Sequence, residues 1–177
     1  MPPKTSKPTM ASVFRRVDKD KDKTLSKDEV KEFVKDAGVG KGWLGGTKVN
    51  MATNEMMDKF DSDKNERVTW DEFKRSAKHA LPVKSGRGTN LPAEAASWHG
   101  KADRNADSGV DSKELSSTIE RELKQNETPM AGTVAEVASK IGMHVIDENK
   151  DGKVDADELG SLAEDIQSGG AASPADD

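Results

Sequence analysis

The chain has 177 residues, enough for one domain or two small lobes. Only 32% of the residues are hydrophobic and 4% aromatic, 34% are charged, and the mean hydropathy is −0.84. This composition is lean for a packed core, so we expect an additional source of folding free energy. The net charge of −5 has the wrong sign for a nucleic-acid-binding protein. The absence of cysteine excludes disulfides, thiolate metal sites and cysteine nucleophiles.

No segment approaches the ~20 consecutive apolar residues that a membrane span requires, so we expect no membrane-spanning helix. The first ten residues contain lysines without a following apolar run, which argues against a secretory signal. With the lack of cysteine, these features predict a cytoplasmic protein.

The first predicted unit is helix, acidic segment, helix. The acidic segment is DKDKDKTLSKDE, residues 18–29. Apolar residues at helical spacing precede it at Met10, Val13, Phe14 and Val17, and follow it at Val30, Phe33, Val34 and Ala37. Such stripes are typical of helix faces that pack in a core.

A glycine-rich stretch, residues 38–46, separates this unit from the next. Its GKGWLG letters fit the dinucleotide fingerprint GxGxxG and nearly fit a phosphate-binding loop. The stretch follows a predicted helix and lacks the flanking strands of those motifs, so we interpret it as an interhelical loop.

The second unit is centred on DSDKNERVTWDE, residues 61–72. Helical stripes flank it at Ala52, Met56, Met57 and Phe60, and at Phe73, Ala77 and Ala80. Two prolines bracket the stretch that follows, and we assign residues 82–91 as a linker.

The third and fourth units have DRNADSGVDSKE at residues 103–114 and DENKDGKVDADE at residues 147–158. Both lie between apolar stripes with a helical period. The four acidic segments start 43, 42 and 44 residues apart. A near-constant period indicates an internal repeat, which a merely solvated acidic loop has no reason to show.

A twelve-residue acidic loop between two helices resembles the EF-hand calcium-binding family. That resemblance implies oxygen ligands at loop positions 1, 3, 5, 7, 9 and 12 and a glycine at position 6, because Ca²⁺ requires six to eight oxygens. It also implies an all-α fold with two lobes of paired EF-hands. A short β-bridge would join the first acidic segment to the second, and the third to the fourth. The bridge would form through the apolar residue at position 8 of each segment (Leu25, Val68, Val110 and Val154).

We name the segments loops one to four in chain order. The implied ligands of loop one are Asp18, Asp20, Asp22, Thr24, Ser26 and Glu29. Those of loop two are Asp61, Asp63, Asn65, Arg67, Thr69 and Glu72. Those of loop three are Asp103, Asn105, Asp107, Gly109, Asp111 and Glu114. Those of loop four are Asp147, Asn149, Asp151, Lys153, Asp155 and Glu158. The residue at position 7 contributes its backbone carbonyl.

The residue at position 6 predicts how the four loops differ in calcium affinity. Loop four has Gly152 there, whereas the other loops have Lys23, Glu66 and Ser108. A non-glycine residue at positive φ costs roughly 1–2 kcal/mol, or about tenfold in affinity. Loop two also has three ligand carboxylates where the others have four. We therefore expect three or four Ca²⁺ per chain, with affinity falling in the order four, one, three, two.

Charge couples metal binding to folding. Fifteen of the 33 acidic residues occupy ligand positions, and the remaining 18 face the 28 Lys and Arg of the chain. The calcium-free loops are thus self-repelling acidic clusters on a basic scaffold. We expect calcium to raise stability, because the ligands repel one another until a cation joins them.

The predicted organisation is a tail at residues 1–9, an N-terminal pair at 10–81, the linker at 82–91, a C-terminal pair at 92–167 and a tail at 168–177. This wide repeat resembles the sarcoplasmic calcium-binding protein and calexcitin layout more than that of calmodulin. The three histidines are scattered singly, and no catalytic set stands out. We expect a non-enzymatic monomer, with His99 at the edge of its lobe.

Two functions remain open at this point. One is a calcium buffer or calcium-stabilised module; the alternative is a calcium sensor that opens an apolar groove to a target protein helix. All four phenylalanines fall in the N-terminal half, while the best loop lies in the C-terminal half. Sensor grooves are typically rich in Met and Phe, so the composition favours the buffer and would confine sensing to the N-terminal lobe.

Overall fold

The computed structural model describes residues 7–42, 44–80, 91–127 and 130–170. Within these ranges the chain forms eight helices and four short strands. In chain order they are α1 (Met10–Val17), β1 (Thr24–Ser26), α2 (Lys27–Asp36), α3 (Gly45–Phe60), β2 (Arg67–Thr69), α4 (Trp70–Ala80), α5 (Leu91–Ala102), β3 (Gly109–Asp111), α6 (Ser112–Gln125), α7 (Ala131–Ile146), β4 (Lys153–Asp155) and α8 (Ala156–Ser168). The predicted linker, apart from Leu91, and the outer parts of both predicted tails lie outside the described residues. The predicted domain limits stay predictions.

The strands join the loops in pairs. β1 pairs antiparallel with β2, which places Leu25 opposite Val68, and β3 pairs with β4, which places Val110 opposite Val154. All four apolar side chains are buried. The predicted all-α fold with short β-bridges at position 8, one with two and three with four, is confirmed.

Capping side chains fix where several helices begin. α1 starts with a capping box in which the Thr9 hydroxyl accepts from the Ser12 amide. α2, α6 and α8 each start with a capping box between loop positions 9 and 12, such as Ser26 with Glu29. A capping box satisfies amides that the first helical turn leaves without partners. Pro8, just before the first cap, is already fully buried.

Both halves of the chain contribute to one hydrophobic cluster. Phe14 is fully buried and meets Trp70 and Phe73 edge-on, with ring centroids 5.2 and 5.4 Å apart. Trp98 and Leu159 of the C-terminal half belong to the same cluster. The two predicted lobes therefore share a core within the described part of the chain, which increases the apolar area that so lean a composition can bury.

A second apolar cluster lies where α7 meets the N-terminal half. Val137 of α7 packs with Val34, Val39, Val49 and Ala52, and all five are buried. The half-buried Ile141, one turn further along α7, packs against the same cluster. A helix of the C-terminal half thus covers the apolar face formed by α2, α3 and the segment between them.

Polar contacts reinforce this junction. Arg16 donates to the carbonyl of His144 at 2.5 Å and forms an ion pair with Glu148. Lys48 lies 2.6 Å from Glu136, which also pairs with Lys140 on its own helix. The two lysines lower the pKa of Glu136 to about 2.

No helix in the described ranges has both the length and the apolar character needed to cross a lipid bilayer. The longest, α3 and α7, have 16 residues each.

Candidate metal centres

The glutamate at position 12 ties each loop to the helix that follows it. In loop one, Oε1 of Glu29 accepts from the amides of Lys19 and Asp20 at 2.9 and 3.3 Å. Its Oε2 accepts from the amide and hydroxyl of Ser26 at 2.8 and 2.7 Å. The same backbone contacts recur at Glu72, Glu114 and Glu158. All four loops are therefore wound in the same way.

Two positions in every loop have left-handed backbone. Position 6 has φ of 68° at Lys23, 64° at Glu66, 74° at Ser108 and 86° at Gly152. The pattern predicted this conformation, and only loop four meets it with glycine. Position 4 is left-handed as well, at Lys21, Lys64, Ala106 and Lys150, with φ between 56° and 61°. The sequence pattern does not predict the left-handed backbone at position 4. No loop has glycine there, so strain at position 4 does not distinguish between the loops.

The position-1 aspartate accepts from the amide of position 6 in each loop, as Asp18 Oδ2 does from Lys23 at 3.1 Å. In loop one the other oxygen, Oδ1 of Asp18, is buried and has no hydrogen-bond partner. Burial raises the pKa of Asp18, and the amides of Lys23 and Lys21 offset this only in part. A buried carboxylate oxygen without a partner is costly, and a bound cation would remove that cost.

Carboxylate oxygens converge in the first two loops. In loop one, oxygens of Asp18, Asp20 and Asp22 all lie within 4.8 Å of one another. Ligands at ~2.3–2.6 Å from a shared Ca²⁺ cannot lie farther apart than about 5 Å, so the cluster suits this ion. In loop two the same holds for Asp61, Asp63 and Glu72, although this loop was predicted to be the weakest.

Loops three and four place an amide at position 3. Asn105 and Asn149 stand there, and each uses its side-chain oxygen to accept from the amide of position 5. An asparagine oxygen is also a suitable calcium ligand. At positions 1, 3 and 5 these loops therefore have two carboxylates where loop one has three, but the number of oxygen donors is unchanged.

The glutamates at position 12 differ in their pKa. Burial raises the pKa of Glu29 and of Glu72, but hydrogen bonds from loop amides and hydroxyls outweigh burial and hold both below the usual value. At Glu158 burial dominates, and the pKa lies above the usual value. Without metal, burial therefore disfavours the ionised form of both Glu158 and Asp18.

The predicted ligands all lie in the described ranges and form four separate loops. The side chains at position 9, namely Ser26, Thr69, Asp111 and Asp155, accept amides at the start of the next helix. In EF-hand loops, position 9 often contacts the ion through water, and these capping contacts are compatible with that role. The assignment of the 24 residues as ligands stays a prediction.

His99 is not at the edge of its lobe, and that prediction is wrong. Its side chain is buried, and Nε2 lies 3.0 Å from the carbonyl oxygen of Val154 in β4. A carbonyl only accepts, so Nε2 carries the proton and donates. The imidazole is buried because the strand of loop four offers it a partner, which no spacing in the sequence could reveal.

Models of the EF-hand family match the sequence around several of these loops. A family model described as an EF-hand domain pair matches residues 7–78, and one described as an EF hand matches residues 142–163. Probable calcium-binding protein CML33 of Arabidopsis thaliana is 29% identical over 111 residues, which cover 62% of this chain and 72% of that protein. The crystal structure of caltubin from the great pond snail is 20% identical, with a TM-score of 0.31, over 92% of this chain and 99% of that one.

The two family matches together span more than half of the chain, and they coincide with loops one, two and four. The chain belongs to the EF-hand superfamily of calcium-binding proteins. The family and the acidic clusters of loops one and two support calcium binding through EF-hand loops.

Loop one provides a test of the buried carboxylate. Asp18→Asn should leave the calcium-free melting temperature unchanged or slightly higher, because it removes a desolvated charge whose pKa is raised. The same change should weaken calcium binding at one site by roughly tenfold or more, since a charged ligand is lost. Thermal unfolding in EDTA and calorimetric titration measure the two effects. Asp28→Asn, an exposed residue at the start of α2, is the matched control. A strong loss of calcium-free stability in Asp18→Asn alone would contradict this account.

The ranking of loops is tested at position 12. Glu158→Gln should weaken the tightest calcium-binding step by about tenfold or more, whereas Glu72→Gln should leave that step intact and affect the weakest one. The reasons are the glycine at position 6 of loop four and the lower ligand charge of loop two. Calorimetric titration of both variants measures this. If Glu72→Gln proves the more damaging, the convergence of carboxylates in loop two outweighs the strain at Glu66.

Proposed function

We propose that the chain carries four EF-hands that bind three or four Ca²⁺ and that it acts as a calcium buffer or calcium-stabilised module. We favour the buffer because α7 covers the apolar face of the N-terminal half, where Val137 packs with Val34 and Val49. No catalytic role is part of this proposal. The lack of cysteine supports a cytoplasmic location, and we propose a monomer.

A sensor must expose an apolar groove when calcium binds. One apolar face of the N-terminal half that could form such a groove contains Val34, Val39, Val49 and Ala52, which are already buried against α7. Opening it means moving α7 away and breaking the contacts of Arg16 with His144 and of Lys48 with Glu136. That combined cost favours a protein whose surface changes little on calcium binding.

The sensor remains the alternative, and exposed apolar side chains are what favours it. Leu44, the N-cap of α3, and Met51 within α3 are 45% and 41% exposed, and Met130 is 67% exposed. Scattered apolar exposure is normal on soluble proteins. A target helix would need a larger surface, which is why we place this function second.

The number of ions is the first test. Calorimetric titration of the metal-free chain should give three or four Ca²⁺ per chain, because every loop keeps aspartate at position 1 and glutamate at position 12. Magnesium should compete only partly, since it demands a tighter six-oxygen shell. A stoichiometry of one or none would overturn the four-loop proposal.

The second test separates buffer from sensor with the dye ANS. A buffer should show little gain in ANS fluorescence when calcium is added to the folded protein, because the apolar face stays covered. Val137→Asp places a charge in that face and should raise dye binding, which shows that the assay detects uncovering; Val134→Asp, half-buried on the same helix, is the control. A strong calcium-dependent gain in the wild type, with unchanged helicity by circular dichroism, would establish the sensor instead.

A further inference from the structure

Each pair of loops contains a basic side chain that crosses from one loop to the other. Nη1 of Arg67, at position 7 of loop two, lies 2.5 Å from Oδ2 of Asp22 and 3.0 Å from Oγ1 of Thr24 in loop one. Nζ of Lys153, at position 7 of loop four, lies 2.7 Å from Oδ2 of Asp107 in loop three. Asp22 and Asp107 both occupy position 5. The same contact thus arises twice, with different basic residues, in the two halves of the chain.

Strand register explains why the contact forms. The antiparallel bridges place Ser26 opposite Arg67 and Asp111 opposite Lys153, so the basic side chain starts beside the partner loop. At Gly109, a Cβ atom would lie 2.8 and 2.9 Å from the Lys153 stem. Glycine at position 7 of loop three therefore leaves space for the lysine.

The contact runs in one direction only. Position 7 of loops one and three holds Thr24 and Gly109, which carry no charge that could reach back. Loops one and three, which we call the odd loops, therefore receive a cation at position 5, and loops two and four supply it.

We propose that Arg67 and Lys153 are built-in counter-ions that stabilise the calcium-free loop pairs and lower the calcium affinity of the odd loops. The inference rests on the proposed calcium binding. In the calcium-free state, the basic group neutralises part of an acidic cluster whose members otherwise repel one another. When Ca²⁺ shares the same carboxylate, the fixed positive charge repels the ion. The odd loops then bind calcium less tightly than their four carboxylates alone would suggest.

A different role of the basic group would predict the opposite change in calcium affinity when the group is removed. If the basic group served mainly to orient the position-5 carboxylate for the ion, its removal would lower affinity. The pairs are partly exposed, with side-chain exposures of 54% and 34% for Arg67 and Asp22 and of 41% and 38% for Lys153 and Asp107. Groups this exposed to water hold a carboxylate weakly, because ordering both side chains costs entropy. Their charge, in contrast, acts wherever the side chain lies near the loop, which is why we commit to the counter-ion.

The test compares charge removal with charge-preserving exchange. Arg67→Gln and Lys153→Gln should each raise calcium affinity at one site roughly three- to tenfold at low salt. Arg67→Lys and Lys153→Arg should restore the wild-type affinity. Lys64→Gln and Lys150→Gln remove the same charge from position 4 of the same loops, where both residues are exposed, and should change affinity much less. Calorimetric titration gives the affinities, and the gain should shrink at high salt, where screening is stronger.

A second readout needs no calcium. In EDTA, Arg67→Gln and Lys153→Gln should melt a few degrees below Lys64→Gln and Lys150→Gln, because the calcium-free loops lose their counter-ion. If the wild type binds calcium but Arg67→Gln and Lys153→Gln bind it no more tightly, this inference is overturned and the proposed function is not. A wild type that binds no calcium would overturn the proposed function together with the part of the inference that concerns affinity.

Discussion

The carboxylate at loop position 12 is the constraint on which the rest of the structure depends. In each loop it accepts amides from positions 2, 3 and 9, and so bends twelve residues around the first turn of the next helix. The side-chain oxygens at positions 1, 3 and 5 must then lie close together, despite the repulsion between the carboxylates among them. Amides facing each carboxylate relieve this repulsion in part. Where an oxygen has no such partner, as at Asp18 Oδ1, the loop is left suited to a cation.

The shared core couples the two halves of the chain, because side chains from both belong to the same apolar clusters. α7 leads directly into loop four, and through Val137 it also covers the N-terminal half. Arg16, two residues before the first ligand of loop one, contacts His144 and Glu148 at the start of loop four. The entrances to loops one and four are therefore joined by the same contacts that hold the two halves together. This arrangement fits a compact module better than two lobes free to open.

The repeat made much of the fold predictable. The period of the acidic segments, the apolar stripes and the valine or leucine at position 8 identified the helices, the loops and their pairing, because each reports a local rule. Contacts between the halves could not be foreseen, since no pattern marks Val137 or Arg16 as different from other core or surface residues. His99 shows the same limit: its partner is a backbone carbonyl 55 residues away. Side chains that cross between loops, such as Arg67, depend on strand register and are invisible in a single loop.

Loop three shows why a loop pattern has to be interpreted with its partner. Its glycine stands one place later than the pattern demands, and taken alone that shift looks like a defect. Ser108 accepts the left-handed conformation at position 6, while Gly109 gives the Lys153 side chain room to reach Asp107. The strain at Ser108 and the nearby positive charge both act against calcium at this loop, whereas loop four has glycine at position 6 and receives no such cation. Affinity within a pair is thus set by the two sequences jointly, because the residue that tunes one loop belongs to the other.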